Sequence, residues 1–216
     1  MVKEKIIIQR IDNKTCYTKQ DEVAIERQLS IDLADGRQIT VTCTPENLEE
    51  MIIARKYLAG DQDTQKLQDY QQMMKKEGIL KEVNLEEIFT IARTSFENPG
   101  PLFTDTGCAH SCALVYQGKV LCCIEDIGRH NALDKVIGYA ILNDVSMKDC
   151  YVFTSGRISG DYLKKVIDAG FSMVVSRAAV TDQAVMLAKE YGITMLGFIR
   201  KSNGNLYHEG AVKIRS

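Results

Sequence analysis

The chain has 216 residues, of which 45% are hydrophobic and 26% charged, and its formal net charge is −2. That length can bury a substantial core as one large domain or two small ones, and the composition is ordinary for a globular protein. Near-neutral charge excludes a general electrostatic trap for nucleic acid, so an anionic ligand must be held by a local constellation.

At the N-terminus only three consecutive apolar residues, Ile6-Ile7-Ile8, precede Gln9, too few for the core of a signal peptide. No later run approaches the ~18 apolar residues of a membrane span. The seven cysteines (16, 43, 108, 112, 122, 123, 150) are odd in number and follow no export signal, so they read as reduced thiols and the expected compartment is the cytoplasm. Residues 1–43 read as β structure: a strand at 5–8, then 23–34 and 37–43 joined by an Asp35-Gly36 turn. Thr44 before Pro45, with Glu46 and Glu49 following, predicts a helix start, and Leu48, Met51, Ile52 and Leu58 are spaced to face a core. Residues 61–77 read as a surface helix with a stripe of Leu67, Tyr70, Met73 and Met74. Asn84 and Glu87 form a capping pair for a helix to about Phe96, which Asn98-Pro99-Gly100-Pro101 breaks. The boundary between a smaller β-rich N-terminal part (1–80) and the main domain (81–216) falls here.

From 102 onward the pattern changes. Residues 113–116 and 120–124 flank a Gln117-Gly118-Lys119 turn as a hairpin, and 129–142 reads as a helix. Apolar runs at 150–154, 172–176 and 194–199 then alternate with helical patterns at 160–169 and 182–190. This alternation predicts an α/β fold with a largely parallel sheet here, whose ligands collect at the carboxyl ends of strands.

Two strand-to-helix loops carry the functional argument: Glu125-Asp126-Ile127-Gly128-Arg129-His130-Asn131 and Ser155-Gly156-Arg157-Ile158-Ser159. Each has a glycine where the backbone bends or a ligand comes close, then an arginine suited to phosphate, then the free N–H groups of a helix start. A third loop, Ser176-Arg177 with Thr181 as a helix cap, repeats the layout. The competing reading is structural, with Arg129 paired to Asp126 or Asp134 and Ser159 and Thr181 acting as caps; three similar loops on one sheet edge favour a site.

The block from Glu125 to Gly138 resembles the hallmark of the formate dehydrogenase accessory sulfurtransferase family (FdhD). Ser155-Gly156-Arg157-Ile158-Ser159 resembles the family's Ser-Gly-Arg-x-Ser loop, Ser176–Thr181 its Ser-Arg-Ser-Ala-Pro-Thr, and Leu196–Arg200 with Asn205–Tyr207 its closing segment. The resemblance is strong over 102–208 and weaker over 40–60. It implies a cytidine-deaminase-like three-layer core with a mixed sheet. It also implies a role in maturing formate dehydrogenase: sulfur from a cysteine desulfurase is passed to a molybdenum cofactor carrying two molybdopterin guanine dinucleotides. Carried onto this sequence, it implicates Gly107, His110, Gly128, Arg129, His130, Asn131, Ser155, Gly156, Arg157, Ser159, Ser176, Arg177, Phe198, Ile199, Arg200, Lys201, Ser202 and Asn203 in holding that cofactor. A homodimer would stack its two guanine nucleotides.

The chain departs from this family at the sulfur carrier. The family's Cys-Gly-x-Cys-Gly loop has no counterpart; the matching region, 76–84, contains no cysteine. Where the family has Thr-Gly-Gly-x-His, this chain reads Thr106-Gly107-Cys108-Ala109-His110, followed by Ser111-Cys112. Cys108 is thus a candidate persulfide carrier with Cys112 as a resolving thiol; the alternative is that Cys108 fills a glycine-like position and Cys112 is a buried strand residue. Cys43, Cys122, Cys123 and Cys150 read as core thiols. The helix starts lack the His-x-Glu and Pro-Cys-x-x-Cys of zinc deaminases, and alternate residues of one strand (Cys108, His110, Cys112) rarely close a metal site, so no metal is expected. The leading reading is an accessory protein that binds this cofactor and assists formate dehydrogenase maturation, with sulfur transfer through Cys108 as its sharper version. The alternatives are a guanine nucleotide chaperone or sensor without transfer, and an unrelated enzyme using His130 as a general base.

Overall fold

The computed structural model describes the backbone of residues 1–216 and all side chains except those of Phe96 and Glu97. The chain opens with two antiparallel hairpins, β1 (Lys3–Asp12) with β2 (Thr15–Ala24) and β3 (Arg27–Asp32) with β4 (Gln38–Cys43). Asp35-Gly36 does lie in the turn of the second, where Gly36 adopts a φ of 84° that glycine tolerates best. The first hairpin is longer than the strand expected at 5–8, and the stretch 23–34 is broken between β2 and β3.

Helices α1 (Leu48–Leu58) and α2 (Gln65–Met73) follow, then the short strand β5 (Glu82–Asn84), α3 (Leu85–Glu97) and α4 (Pro101–Thr106). The predicted helix start at Thr44 is corrected. The first turn begins at Leu48 with Asn47 in a left-handed conformation before it, and the Thr44 side chain is engaged elsewhere, as shown below. Thr64 caps α2 through Leu67 N, and Asn84 caps α3 through Glu86 N. Glu87 does not complete a capping box; it accepts from the Tyr151 hydroxyl at 3.1 Å. The α3 end expected near Phe96 falls where the last two side chains lie outside the described residues.

The second half builds the central sheet. Strands β6 (His110–Tyr116) and β7 (Lys119–Asp126) are joined by Gln117-Gly118, both at positive φ as a tight hairpin requires. Then come α5 (Arg129–Leu142), β8 (Tyr151–Thr154), α6 (Gly160–Ala169), β9 (Met173–Ser176), α7 (Asp182–Tyr191), β10 (Thr194–Gly197), β11 (Asn205–His208) and β12 (Lys213–Arg215). The strand order is β11-β10-β9-β8-β6-β7; β8, β9 and β10 run parallel, and β6, β7 and β11 are antiparallel to their neighbours. This mixed α/β sheet meets the expected class. Strand β12 pairs with β5 in parallel, tying the C-terminus to the start of α3.

Two-residue alternation assigns each strand's side chains to a layer. Cys112, Leu114, Val152, Val174 and Met195 face one core with α5, α6 and α7, which also takes in Leu67 and Tyr70 of α2. Ala113, Val115, Tyr151, Phe153, Val175 and Leu196 face the other with Ile88, Ile91 and Ala92 of α3. Helix α1 crosses α5 so closely that a Cβ added to Gly138 would lie 1.9 Å from the Glu50 carbonyl oxygen. Among the described residues no helix is long and apolar enough to cross a membrane.

Candidate functional site

The loops leaving the parallel strands β8, β9 and β10 open on one edge of the sheet. Because β6 runs the other way, its beginning lies there too, beside the end of β7. A cleft of about 470 Å³ forms at this edge, with Ser155, Arg157, Arg177, Phe198 and Arg200 from the first set and His110, Ser111 and Glu125 from the second. This is where an open α/β sheet places ligands. Its outer wall is Pro99, Gly100 and Phe103, from the loop before α4 and α4 itself. The Glu125 carboxylate fixes that wall by accepting from Leu102 N at 2.9 Å and Phe103 N at 3.0 Å. Gly100 is required beside it, since a Cβ there would fall 2.0 Å from the Glu125 carboxyl carbon.

The cleft is cationic. Arg157, Arg177 and Arg200 line it against one carboxylate, whose oxygens are already bonded to α4 amides. Among the described residues neither Arg157 nor Arg200 has a carboxylate partner. Burial, and then the like charge of Arg200, lower the Arg177 pKa. His110 is half-buried with its Nδ1 3.4 Å from Ser155 Oγ; burial and then Arg129 and Arg157 hold its pKa below the usual value, favouring neutral imidazole. Phe198 contributes a ring at a φ of 53°, rare for a bulky residue, with its N–H held by the Ala178 carbonyl at 2.9 Å. The arrangement suits a ligand with anionic groups and a flat ring: guanidiniums for the first, Phe103 and Phe198 for the second. A second hollow of about 400 Å³ at the opposite strand ends, lined by Lys76, Glu77, Asp144 and Asp149, is mixed in sign.

The residues singled out from sequence divide. His110, Ser155, Arg157, Arg177, Phe198 and Arg200 meet in the cleft. Ile199 is buried in the core beside α3, whereas Lys201, Ser202 and Asn203 are exposed beyond it. Ser176 is buried: its hydroxyl donates to Gly156 O at 2.7 Å and accepts from Ala178 N at 2.8 Å, latching the second loop to the third. Gly156 lets the chain pass over the Arg129 side chain, 2.8 Å from where its Cβ would be. Gly107 is the left-handed residue that ends α4.

The block after β7 turns mostly inward. Asp126 is fully buried; one oxygen accepts from Lys135 Nζ at 2.6 Å, Thr44 N at 3.0 Å and Thr44 Oγ1 at 2.9 Å, the other from Gly128 N and Asn131 Nδ2. Asn131 also donates to Thr42 O and Lys135 to Thr44 O, so this cluster clasps the end of β4 to α5. One turn on, Asp134 lies between Arg55 Nε at 2.7 Å and Lys165 Nζ at 2.6 Å; burial pushes its carboxyl up and the two cations pull it back. Arg129 reaches Ser159 Oγ at 3.2 Å, and Ser159 in turn donates to Asp161. His130 Nε2 lies 3.2 Å from the exposed Asp161 carboxylate, and burial and nearby Lys165 lower its pKa to about 4.

Cys108 is exposed on the turn between α4 and β6, its N–H bonded to Thr106 Oγ1, two residues before His110 of the cleft. Cys112 is sealed under the opposite face of the sheet, its sulfur 3.8 Å from the Tyr162 hydroxyl, and burial pushes its thiol up, the opposite of what a resolving thiolate requires. Among the described residues no group of three or more His, Cys, Asp or Glu is placed to hold a metal ion. Sequence reasoning missed the outer wall of Pro99, Gly100 and Phe103, whose only local signal was the Pro-Gly-Pro break.

Fold and cleft together define an α/β protein with a cationic, aromatic-walled cleft at its strand ends. Residues 55–213 match the FdhD/NarQ family, and the chain belongs to that family. It is 45% identical over 105 residues to the "Sulfur carrier protein FdhD" of Bacillus subtilis (strain 168), a match spanning 49% of this chain and 40% of that protein. It is 29% identical over 222 residues to the "Protein FdhD" of Methanocaldococcus jannaschii, covering 96% of this chain and 97% of the relative. A "Sulfur carrier protein FdhD" of Bacillus licheniformis is 30% identical over 247 residues, covering 92% of each chain; that alignment is longer than this chain, so the relative carries segments absent here. The fold matches a crystal structure assigned to a formate dehydrogenase accessory protein of Desulfotalea psychrophila, with a TM-score of 0.82, 24% identity and coverage of 96% and 97% of the two chains.

Proposed function

We propose that this protein serves formate dehydrogenase maturation by holding a molybdenum cofactor built from two molybdopterin guanine dinucleotides, and that it receives sulfur from a cysteine desulfurase on Cys108. The observation that carries the binding half is the convergence of Arg157, Arg177 and Arg200 with Phe103 and Phe198 in one cleft. The group fits by its chemistry: its phosphates match guanidiniums and its guanine and pterin rings match aromatic walls. A cleft of about 470 Å³ suits one nucleotide end rather than the whole cofactor. Two copies of the chain would therefore hold the two guanine ends, and the compartment is the cytoplasm.

The sulfur half rests on Cys108, exposed at the turn that leads into the cleft. Its thiolate would take the terminal sulfur of a donor persulfide, releasing the donor thiolate, and return to the thiolate on delivery. The segments lacking relative to the Bacillus licheniformis protein favour a second reading, in which the chain holds the cofactor without transferring sulfur.

Calorimetric titration with GDP tests the binding half. The Arg157→Ala variant is expected to weaken affinity roughly ten- to hundredfold, the equivalent of one charge-assisted contact; absence of saturable GDP binding, or an unchanged Arg157→Ala variant, would refute it. Intact mass after exposure to a desulfurase and cysteine tests the transfer half: the parent gains one sulfur atom and Cys108→Ser does not. A Cys108→Ser variant that delivers sulfur as well as the parent would leave only the binding role.

A further inference from the structure

The hairpin β1–β2 is anchored at its base, where Lys3 pairs with Asp105 of α4, and beyond that it is largely exposed on both faces. Ile7 is 69% exposed, Ile11 76% and Tyr17 48%. A lone two-stranded ribbon is marginal in water, and a long apolar edge is a template for another strand. This edge is guarded by charge alone, Lys3 and Lys5 included: β1 contains no proline, and its register with β2 runs unbroken from Lys3↔Ala24 to Asp12↔Thr15.

The backbone shows which groups are on offer. Ile25 N donates to Val2 O at 2.8 Å, so in the alternating antiparallel pattern the even-numbered residues of β1 bond to β2. The N–H and C=O groups of Lys3, Lys5, Ile7, Gln9 and Ile11 then point to the outer edge, where no strand of this chain lies among the described residues.

We propose that a second copy of this chain pairs its own β1 antiparallel along this edge, about a two-fold axis at Ile7. The sequence of β1 is self-complementary about that residue. Glu4 meets Arg10 of the other copy and Arg10 its Glu4; Ile6 meets Ile8, Lys5 meets Gln9, Lys3 meets Ile11, and Ile7 meets itself. Outward-pointing groups face each other throughout, because the paired residues are both odd or both even. Glu4 and Arg10 are exposed and, among the described residues, have no ion-pair partner within the chain. Moving the axis to Ile8 sets Glu4 against Asp12, and moving it to Ile6 leaves Glu4 and Arg10 unmatched. The pairing turns two marginal ribbons into one four-stranded sheet with Ile6 and Ile8 of both copies on one face. It rests on the two-copy arrangement proposed above and supplies its interface.

Sedimentation equilibrium of the full chain tests it. The parent is expected to be a dimer. Glu4→Arg, which sets arginine against arginine at both ends, should raise the dissociation constant about tenfold, two reversed cross-strand pairs. The double variant Glu4→Arg with Arg10→Glu should restore dimerisation. Ile7→Pro removes an outward N–H that β2 does not use and should give monomers with unchanged circular dichroism. A monomeric parent would overturn both this interface and the two-copy arrangement. A dimer that Glu4→Arg and Ile7→Pro leave untouched, or a double variant that stays dissociated, would overturn the interface alone.

Discussion

Replacing Lys135 with methionine isolates the buried clasp between β4 and α5. The substitution keeps the volume and apolar stem but removes the cation 2.6 Å from Asp126, both side chains being fully buried. Taking one partner from a buried ion pair costs about 3–5 kcal/mol. Here the carboxylate keeps four neutral donors, from Thr44 N, Thr44 Oγ1, Gly128 N and Asn131 Nδ2, so the lower end, about 3 kcal/mol, is expected. In urea unfolding followed by circular dichroism, a chain of this size loses roughly 2–3 kcal/mol of stability per molar denaturant, so the midpoint should fall by about 1 M. Adding Asp126→Asn removes the stranded charge and should recover most of that loss, giving a favourable coupling in the double-mutant cycle. GDP affinity of the folded Lys135→Met variant should stay within about twofold, since the clasp does not line the cleft. A midpoint shift below about 0.3 M, or strict additivity of the two substitutions, would refute the clasp as described.

Gly138→Ala would ordinarily favour a helix by about 1 kcal/mol. Here the new methyl meets the Glu50 carbonyl, and backbone cannot yield as a side chain can, so a net loss of roughly 1–3 kcal/mol is expected. For a chain of this length that lowers the melting temperature by roughly 3–10 °C, and an unchanged or raised value would show that α1 and α5 are not in contact there. His130 gives a pH signature. Its folded pKa of about 4 lies below the ordinary 6.5, so the unfolded chain binds the proton first and stability declines as pH falls through that window. With the ring partly solvated the loss is on the order of 1–2 kcal/mol, and His130→Gln should flatten it; a slope that persists in the variant would assign the effect to another group.

The second half of the fold was legible because its strands are short apolar runs and its helices carry their own punctuation, such as Thr181 capping α7 and Gly170 and Gly192 ending α6 and α7. The arm β1–β2 was legible only at its base, in the strand read at 5–8 and the start of 23–34, since residues 9–20 are mostly polar and no apolar alternation marks a strand exposed on both faces. Thr44 was misread for a related reason: its local context is that of a helix cap, but its hydroxyl bonds Asp126 and Lys135, more than eighty residues away. The site was half legible. Glycine followed by arginine at a helix start marks Arg157, which lines the cleft, whereas in the other loop Gly128 and Asn131 bond to Asp126 and Thr42, and Arg129 reaches Ser159. The wall carrying Phe103 comes from a segment that reaches the sheet edge only through Glu125, and no local pattern announces that meeting.

The Ser176 latch has company. Ile158 N donates to Ala179 O, Thr181 N to Ile158 O and Arg177 N to Thr154 O, so the loops bearing Arg157 and Arg177 are stitched into one piece of backbone. The spacing of those two cationic roots is therefore set during folding and not when a ligand arrives. Such a pair acts as a ruler. On the proposed reading, a ligand whose charged groups match its span would meet little ordering cost at the backbone and one of different span would have to distort itself, so that selectivity would be a matter of length before charge.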